Sequence, residues 1–299
     1  MGTPDFAVPS LRILVEAGMN IVGVITAPDK PKGRGKQLGT SAIKEYALAQ
    51  QLNILQPTNL KGSDFLNGLK ALNADLQIVV AFRMLPEVVW NMPPMGTFNL
   101  HASLLPQYRG AAPINWAIIN GEVKTGVTTF LLQHEIDTGQ ILFQEEEYIN
   151  PDDDAGILYK KLMDRGSKLV LKTVNELMKG AVSPMEQLKS GDLKTAPKIF
   201  KEDCEINWRR SSIELVNFVR GLSPYPTAWT RYNDKLFKLY QLEVADEYSL
   251  PAGEWSSDNK TYIRIGTESG AVTLKELQME GKKRMSVGEF LRGQQLFIA

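Results

Sequence analysis

Short apolar runs alternate with amphipathic stretches along the first part of the chain. Residues 6–16 have helical spacing, with Pro9 in the first turn, where a missing N–H costs nothing, and Gly18 as the stop. Residues 21–25 are short and almost uniformly apolar, as a strand covered on both faces is. Residues 41–51 and 65–72 read as helices, the first with Ser41 placed to cap it. Residues 76–82 and 97–103 read as strands, and 114–120 as a short helix entered through Pro113. Two more strands, 127–132 and 140–148, precede a long helix over 154–179. This βαβα order predicts an open, mostly parallel sheet. Such sheets bind ligands at the carboxyl ends of their strands.

The pattern changes near Ala181. Residues 181–201 mix Pro184, Gly191 and Pro197 with polar residues and read as a linker between a domain over 1–180 and another over 202–299. After a helix at 211–220, short strands are separated by turn signals at Asn233-Asp234, Ser257-Asp258-Asn259 and Ser269-Gly270. That spacing predicts a small β-barrel.

Charge and composition narrow the chemistry. Lys+Arg and Asp+Glu are both 34, so the formal net charge is zero and any nucleic-acid site must be a local patch. The single cysteine, Cys204, excludes an internal disulfide framework, and its expected role is structural. With only two histidines, His101 and His134, a Cys/His metal site is not expected. No stretch is long and apolar enough to span a membrane, and the chain runs straight into Thr3-Pro4-Asp5 without a signal peptide. A cytoplasmic protein is the expectation.

The candidate chemistry sits at 97–113. Strand alternation puts Asn99 and His101 on one face and Phe98 and Leu100 on the other. An amide donor beside an imidazole can hold one carbonyl oxygen and move one proton. Asp137, in Asp137-Thr138-Gly139 after a strand, is either a turn residue or the third member of that group. His134 has no assignable role and is taken as structural. Lys30, Lys32, Arg34 and Lys36 lie in a glycine- and proline-punctuated loop. It suits either a solvated surface or a phosphate backbone, which attracts charge without demanding fixed geometry. Lys282, Lys283 and Arg284, with Lys235 and Lys238, form a second basic patch with the same two readings. A nicotinamide-binding domain is excluded, because no strand is followed by G-x-G-x-x-G with a downstream acid.

The run F-N-L-H-A-S-L-L-P-Q-Y-R-G-A-A-P at 98–113 resembles the signature of the 10-formyltetrahydrofolate-dependent formyltransferases. The likeness extends to Gly2-Thr3-Pro4-Asp5-Phe6, Pro31-x-Gly33-Arg34-Gly35-Lys36, Leu222-Ser223-Pro224-Tyr225-Pro226 and Gly281-Lys282-Lys283, so it covers essentially the whole chain. It implies a doubly wound, Rossmann-like sheet with an OB-like C-terminal barrel. It implies Asn99, His101 and Asp137 as a catalytic triad, and 10-formyltetrahydrofolate as co-substrate with no metal. Ser103, Leu104, Leu105 and Pro106 would border the folate, and the loop with Arg83 and Leu85 would help cradle its pteridine. Arg109 would pair with the folate's glutamate tail or with a local carboxylate. Lys32, Arg34 and Lys36, with Lys282 and Lys283, would contact initiator methionyl-tRNA, whose amine is formylated by what is expected to be a monomer. Relatives acting on sugar-nucleotide amines share the central motif but in general lack the basic loop. The chain departs from the family at 81–86, which is slightly short, and at its start. Only Met1 stands where an apolar central strand precedes Gly2, so strands around Val22 and Val79 are expected each to lack a partner.

Overall fold

The apolar runs near the amino end pair as parallel strands, because each is flanked by a helix with one apolar face. The computed structural model describes residues 1–32, 37–188 and 191–293. Two compact units emerge: Met1–Gly110, Thr125–Glu147 and Tyr159–Thr195 form one, and Ala111–Lys124, Tyr148–Leu158 and the chain from Ala196 onward form the other.

In the first unit, Val24–Ile25 pairs in parallel with Ile54–Leu55, and Gln77–Val80 in parallel with Thr97–His101. Lys124–Leu131 then joins Thr97–His101 antiparallel, with Ile141–Tyr148 beyond it, so a parallel region ends in an antiparallel edge. Ser41 caps helix Ala42–Ala49, accepting from the Lys44 amide at 3.3 Å. Ile25, Leu60, Phe65, Leu69, Val79 and Val89 form one core between strands and helices.

Met1 and Gly2 run between the two parallel pairs. The Met1 ammonium donates to Ile78 O at 2.6 Å, Val80 N donates to Met1 O at 2.9 Å, and Gly2 N donates to Ile25 O at 3.0 Å. Beside them lies a cavity of about 140 Å³ lined by Val22, Val24, Leu76, Ile78, Leu11 and Leu14 among others. Met1 and Gly2 thus bond to the strands on both sides of the expected gap. The ammonium sits in this apolar setting, and burial pushes its pKa down to about 5 from 8.0. Between those values the unfolded chain binds the proton and the folded one does not, so stability rises with pH. For a chain that starts at Met1, urea titrations should show a gain approaching about 1.4 kcal/mol per pH unit between pH 5 and 8. An N-acetylated chain should lose that dependence, and an unchanged slope would refute the assignment.

At the ends of the basic stretch expected as a loop, Lys30–Lys32 pairs antiparallel with Gln37–Gly39, and 33–36 lie outside the described residues. The segment before Lys30 is fixed by side chains. Lys44 Nζ donates to Asp29 Oδ2 at 2.6 Å, which holds the Asp29 carboxyl below its ordinary range, and Gln56 Nε2 bridges Asp29 Oδ1 and Ala27 O, each at 2.9 Å. Thr26 and Ser41 hydroxyls bond at 2.8 Å.

The second unit is a curled six-stranded antiparallel sheet in the order Ala228–Tyr232, Lys235–Val244, Ala271–Met279, Ile263–Gly266, Trp255–Ser257, with Met285–Ser286 added on Ala271–Met279. A register shift at Leu239/Gln241 accompanies the curl. Helix Ser212–Leu222, started by a Ser211/Glu214 capping box, packs Leu215, Val219 and Leu222 onto Phe237, Leu239 and Leu277. This is the OB-like arrangement. No helix among the described residues is long and apolar enough to cross a membrane.

Candidate active site

Strand Thr97–His101 carries the site on one face and the core on the other. Leu100 turns toward helix Ala155–Met178 where Gly166 removes any side chain, since a Cβ there would lie 2.7 Å from Leu100 Cδ2. Asn99 and His101 therefore share the opposite face. His101 is buried, and its Nε2 lies 2.9 Å from Tyr108 O. A carbonyl only accepts, so Nε2 carries the proton and Nδ1 is the nitrogen left for chemistry. Nδ1 faces Asp137 Oδ2 at 3.9 Å, longer than a hydrogen bond. Such spacings are common in unliganded sites and close when substrate binds. The Asn99 amide is half-buried and has no side-chain hydrogen bond among the described residues, so its donors remain available.

Asp137 follows strand Lys124–Leu131 in a turn with φ of 55°. Aspartate tolerates this left-handed backbone better than most residues. Its Oδ2 accepts from Gly110 N at 3.0 Å. Two residues on, Gly139 packs directly on the strand, where a Cβ would lie 1.7 Å from Leu131 O. Gln187 holds the turn from outside: its Nε2 donates to Asp137 O at 2.9 Å and to Gly139 O at 2.8 Å. Its Oε1 accepts from Arg109 Nε at 3.0 Å and Nη2 at 2.7 Å. Arg109 thus pairs with an amide oxygen rather than a carboxylate. Gln187 has no sequence signal. It lies in the 181–201 stretch read as a linker, yet Met185 there pairs with Ile141, which brings Gln187 onto the sheet edge.

The other residues marked from the sequence divide into frame and surface. Ser103 Oγ donates to Gln107 O at 2.6 Å, and Thr128 Oγ1 donates to Ser103 O at 2.6 Å while accepting from Leu105 N at 3.1 Å. Leu105 is buried with Phe130 and Ile141, and Leu85 is buried with Val79 and Val89. Leu104 and Pro106 are half-buried. Arg83 spends its guanidinium on the carbonyls of Thr58, at 3.0 Å, and Pro57. His134 is exposed, 3.5 Å from Glu87 and edge-on to Trp90. In the second unit Lys282 and Lys283 are exposed. Lys32 belongs to the strand Lys30–Lys32, while Arg34 and Lys36 lie outside the described residues. Among the described residues no group of three or more His, Cys, Asp or Glu is placed to hold a metal ion.

Comparison with known proteins agrees with this picture. Residues 1–174 match the family described as formyl transferase, and 198–295 match the formyl transferase C-terminal domain. The chain is similar to the methionyl-tRNA formyltransferase of Azobacteroides pseudotrichonymphae, 54% identical over 305 residues, covering 98% of this chain and 94% of the relative. That of Bacteroides thetaiotaomicron is 52% identical over 302 residues, with the same coverage. Among solved structures, an N-formyltransferase from Helicobacter canadensis in complex with folinic acid and dTDP-3-aminofucose superposes with a TM-score of 0.67 at 20% identity, covering 91% of this chain and 96% of that one. HypX from Aquifex aeolicus in complex with tetrahydrofolic acid gives 0.60 at 21% identity, covering 83% of this chain and 44% of that one.

Proposed function

We infer that this chain, which belongs to the formyl transferase family, transfers a formyl group from 10-formyltetrahydrofolate to the amine of methionyl initiator tRNA, for translation initiation. The observation that carries the acceptor is identity above 50% to tRNA-directed enzymes over 98% of the chain. The sugar-nucleotide enzyme shares the fold at only 20% identity, so a small amine is not the favoured acceptor.

Within that reaction Asn99, His101 and Asp137 divide the work. The amine nitrogen attacks the formyl carbon, and negative charge develops on the formyl oxygen. The amide of Asn99, without a side-chain hydrogen bond among the described residues, donates to that oxygen, and His101 supports it from the same strand face once Nδ1 carries a proton. Nδ1 of His101 takes the proton released by the amine and returns it to N10 as the carbon–N10 bond breaks. Asp137 orients the imidazole and balances its charge. No covalent bond to the enzyme forms, so the buried Cys204, whose pKa burial pushes up to about 11, has no step to perform. The half-buried Leu104 and Pro106 border the folate in this reading. In this reading the enzyme acts as a monomer, and a tRNA acceptor fits a cytoplasmic protein.

The tRNA contacts are assigned to Lys32, Arg34 and Lys36, with Lys282 and Lys283 on the second unit. Support comes from the segment before Lys30–Lys32, which is tied to the start of helix Ala42–Ala49 by the Thr26–Ser41 and Asp29–Lys44 bonds. Formyl transfer to charged initiator tRNA, with a nucleotide-linked amino sugar as competitor, tests the acceptor. Neutralising Lys32, Arg34 and Lys36 together should raise the tRNA KM and flatten its salt dependence, since fewer counterions are released, with little effect on the folate KM. Unchanged tRNA kinetics with an unchanged salt slope would reassign the basic stretch to plain solvated surface.

A further inference from the structure

Three successive residues, Tyr108, Arg109 and Gly110, each hold one part of the site. The Tyr108 carbonyl accepts from His101 Nε2, the Gly110 amide donates to Asp137 Oδ2, and Arg109 reaches neither. Arg109 instead grips Gln187, whose amide then grips the backbone on both sides of Thr138. All four hydrogen-bonding positions of that amide are used, and only 4% of Gln187 is exposed. Its orientation is unambiguous, because a guanidinium only donates and carbonyls only accept.

We propose that Gln187 is a positioning residue for formyl transfer, a strut that fixes the Asp137–Gly139 turn against the Arg109–Gly110 segment and so sets the distance from the Asp137 carboxylate to His101. The inference rests on the triad reading above. The turn needs such a strut because Asp137 has a left-handed backbone, which persists where surroundings enforce it. Gly139 blocks motion toward the strand by its contact with Leu131. On its other side the turn is held by Gln187. Without the strut the carboxylate withdraws from a separation that is already 3.9 Å.

Two variants separate the two halves of the amide. Gln187→Met keeps the volume and loses every hydrogen bond. Gln187→Glu keeps an acceptor for Arg109, which secures folding, but sets an oxygen against the two turn carbonyls. Both should lower kcat by about 10- to 10²-fold, the cost of a displacement near 1 Å, with the tRNA KM within about twofold of its starting value. The decisive measurement adds each variant to Asp137→Asn. If Gln187 acts through Asp137, the second change costs little more than the first, whereas independent effects add. Additive losses, or a normal kcat in folded Gln187→Glu, would overturn the proposal. A near-normal kcat in Asp137→Asn alone would instead remove the triad reading, so the two failures are distinguishable.

Discussion

Asn99→Ala is expected to lower the turnover number for formyl transfer by about 10²–10³-fold, the loss seen when one oxyanion donor is removed. The KM values should move little, because the bond to the formyl oxygen strengthens only as charge builds on it. The size of the effect follows from the surroundings. The Asn99 amide makes no side-chain hydrogen bond among the described residues, so the substitution leaves no protein group stranded and takes nothing from the fold. Neighbouring Phe98 and Leu100 stay on the core face. Thermal stability should therefore be unchanged while kcat falls, and a near-normal kcat in the alanine variant would take Asn99 out of the mechanism.

Gly139→Ala should be comparably severe for a different reason. The added methyl would lie 1.7 Å from the Leu131 carbonyl oxygen and 2.9 Å from its carbon, both backbone atoms of a paired strand. The strand cannot yield, so the turn must move. Movement breaks the Gln187 bond to Gly139 O and displaces Asp137, two residues away. Displacements on this scale at a reacting centre cost about 10² in rate. The measurement is kcat alongside the unfolding transition. Melting should fall as well, which distinguishes this variant from Asn99→Ala. Full activity at normal stability would mean that the turn has room the structure denies it.

Much of the fold and part of the site were legible in the sequence because they rest on short-range regularities. Period-two alternation put Asn99 and His101 on one face, and the apolar runs at 76–82 and 97–103 correspond to observed parallel strands. Ser41 and Gly18 marked helix ends through chemistry that acts within a few residues. What stayed hidden acts across long separations or through the backbone. The carbonyl of Tyr108 and the amide of Gly110 have no side-chain identity to read. Gln187 reaches Asp137 across 50 positions from a stretch of prolines, glycines and polar residues that carries no period. The packing of Leu85 with Val79 and Val89 was not read either, since an apolar residue in a loop looks the same at a pocket or in a core. The pairing of 30–32 with 37–39 was not read because each strand is only three residues, too short for alternation to register.

The bond from His101 Nε2 to the Tyr108 carbonyl shuts one of the two doors of the imidazole. A histidine open at both nitrogens passes protons through itself, in at one edge and out at the other. Here the inner edge is occupied throughout, so a proton that enters at Nδ1 leaves at Nδ1. The ring works as a reversible reservoir and not as a wire. On the mechanism proposed above, whatever it borrows from the attacking amine it hands back on the same side before the cycle closes, with no exchange through the protein interior.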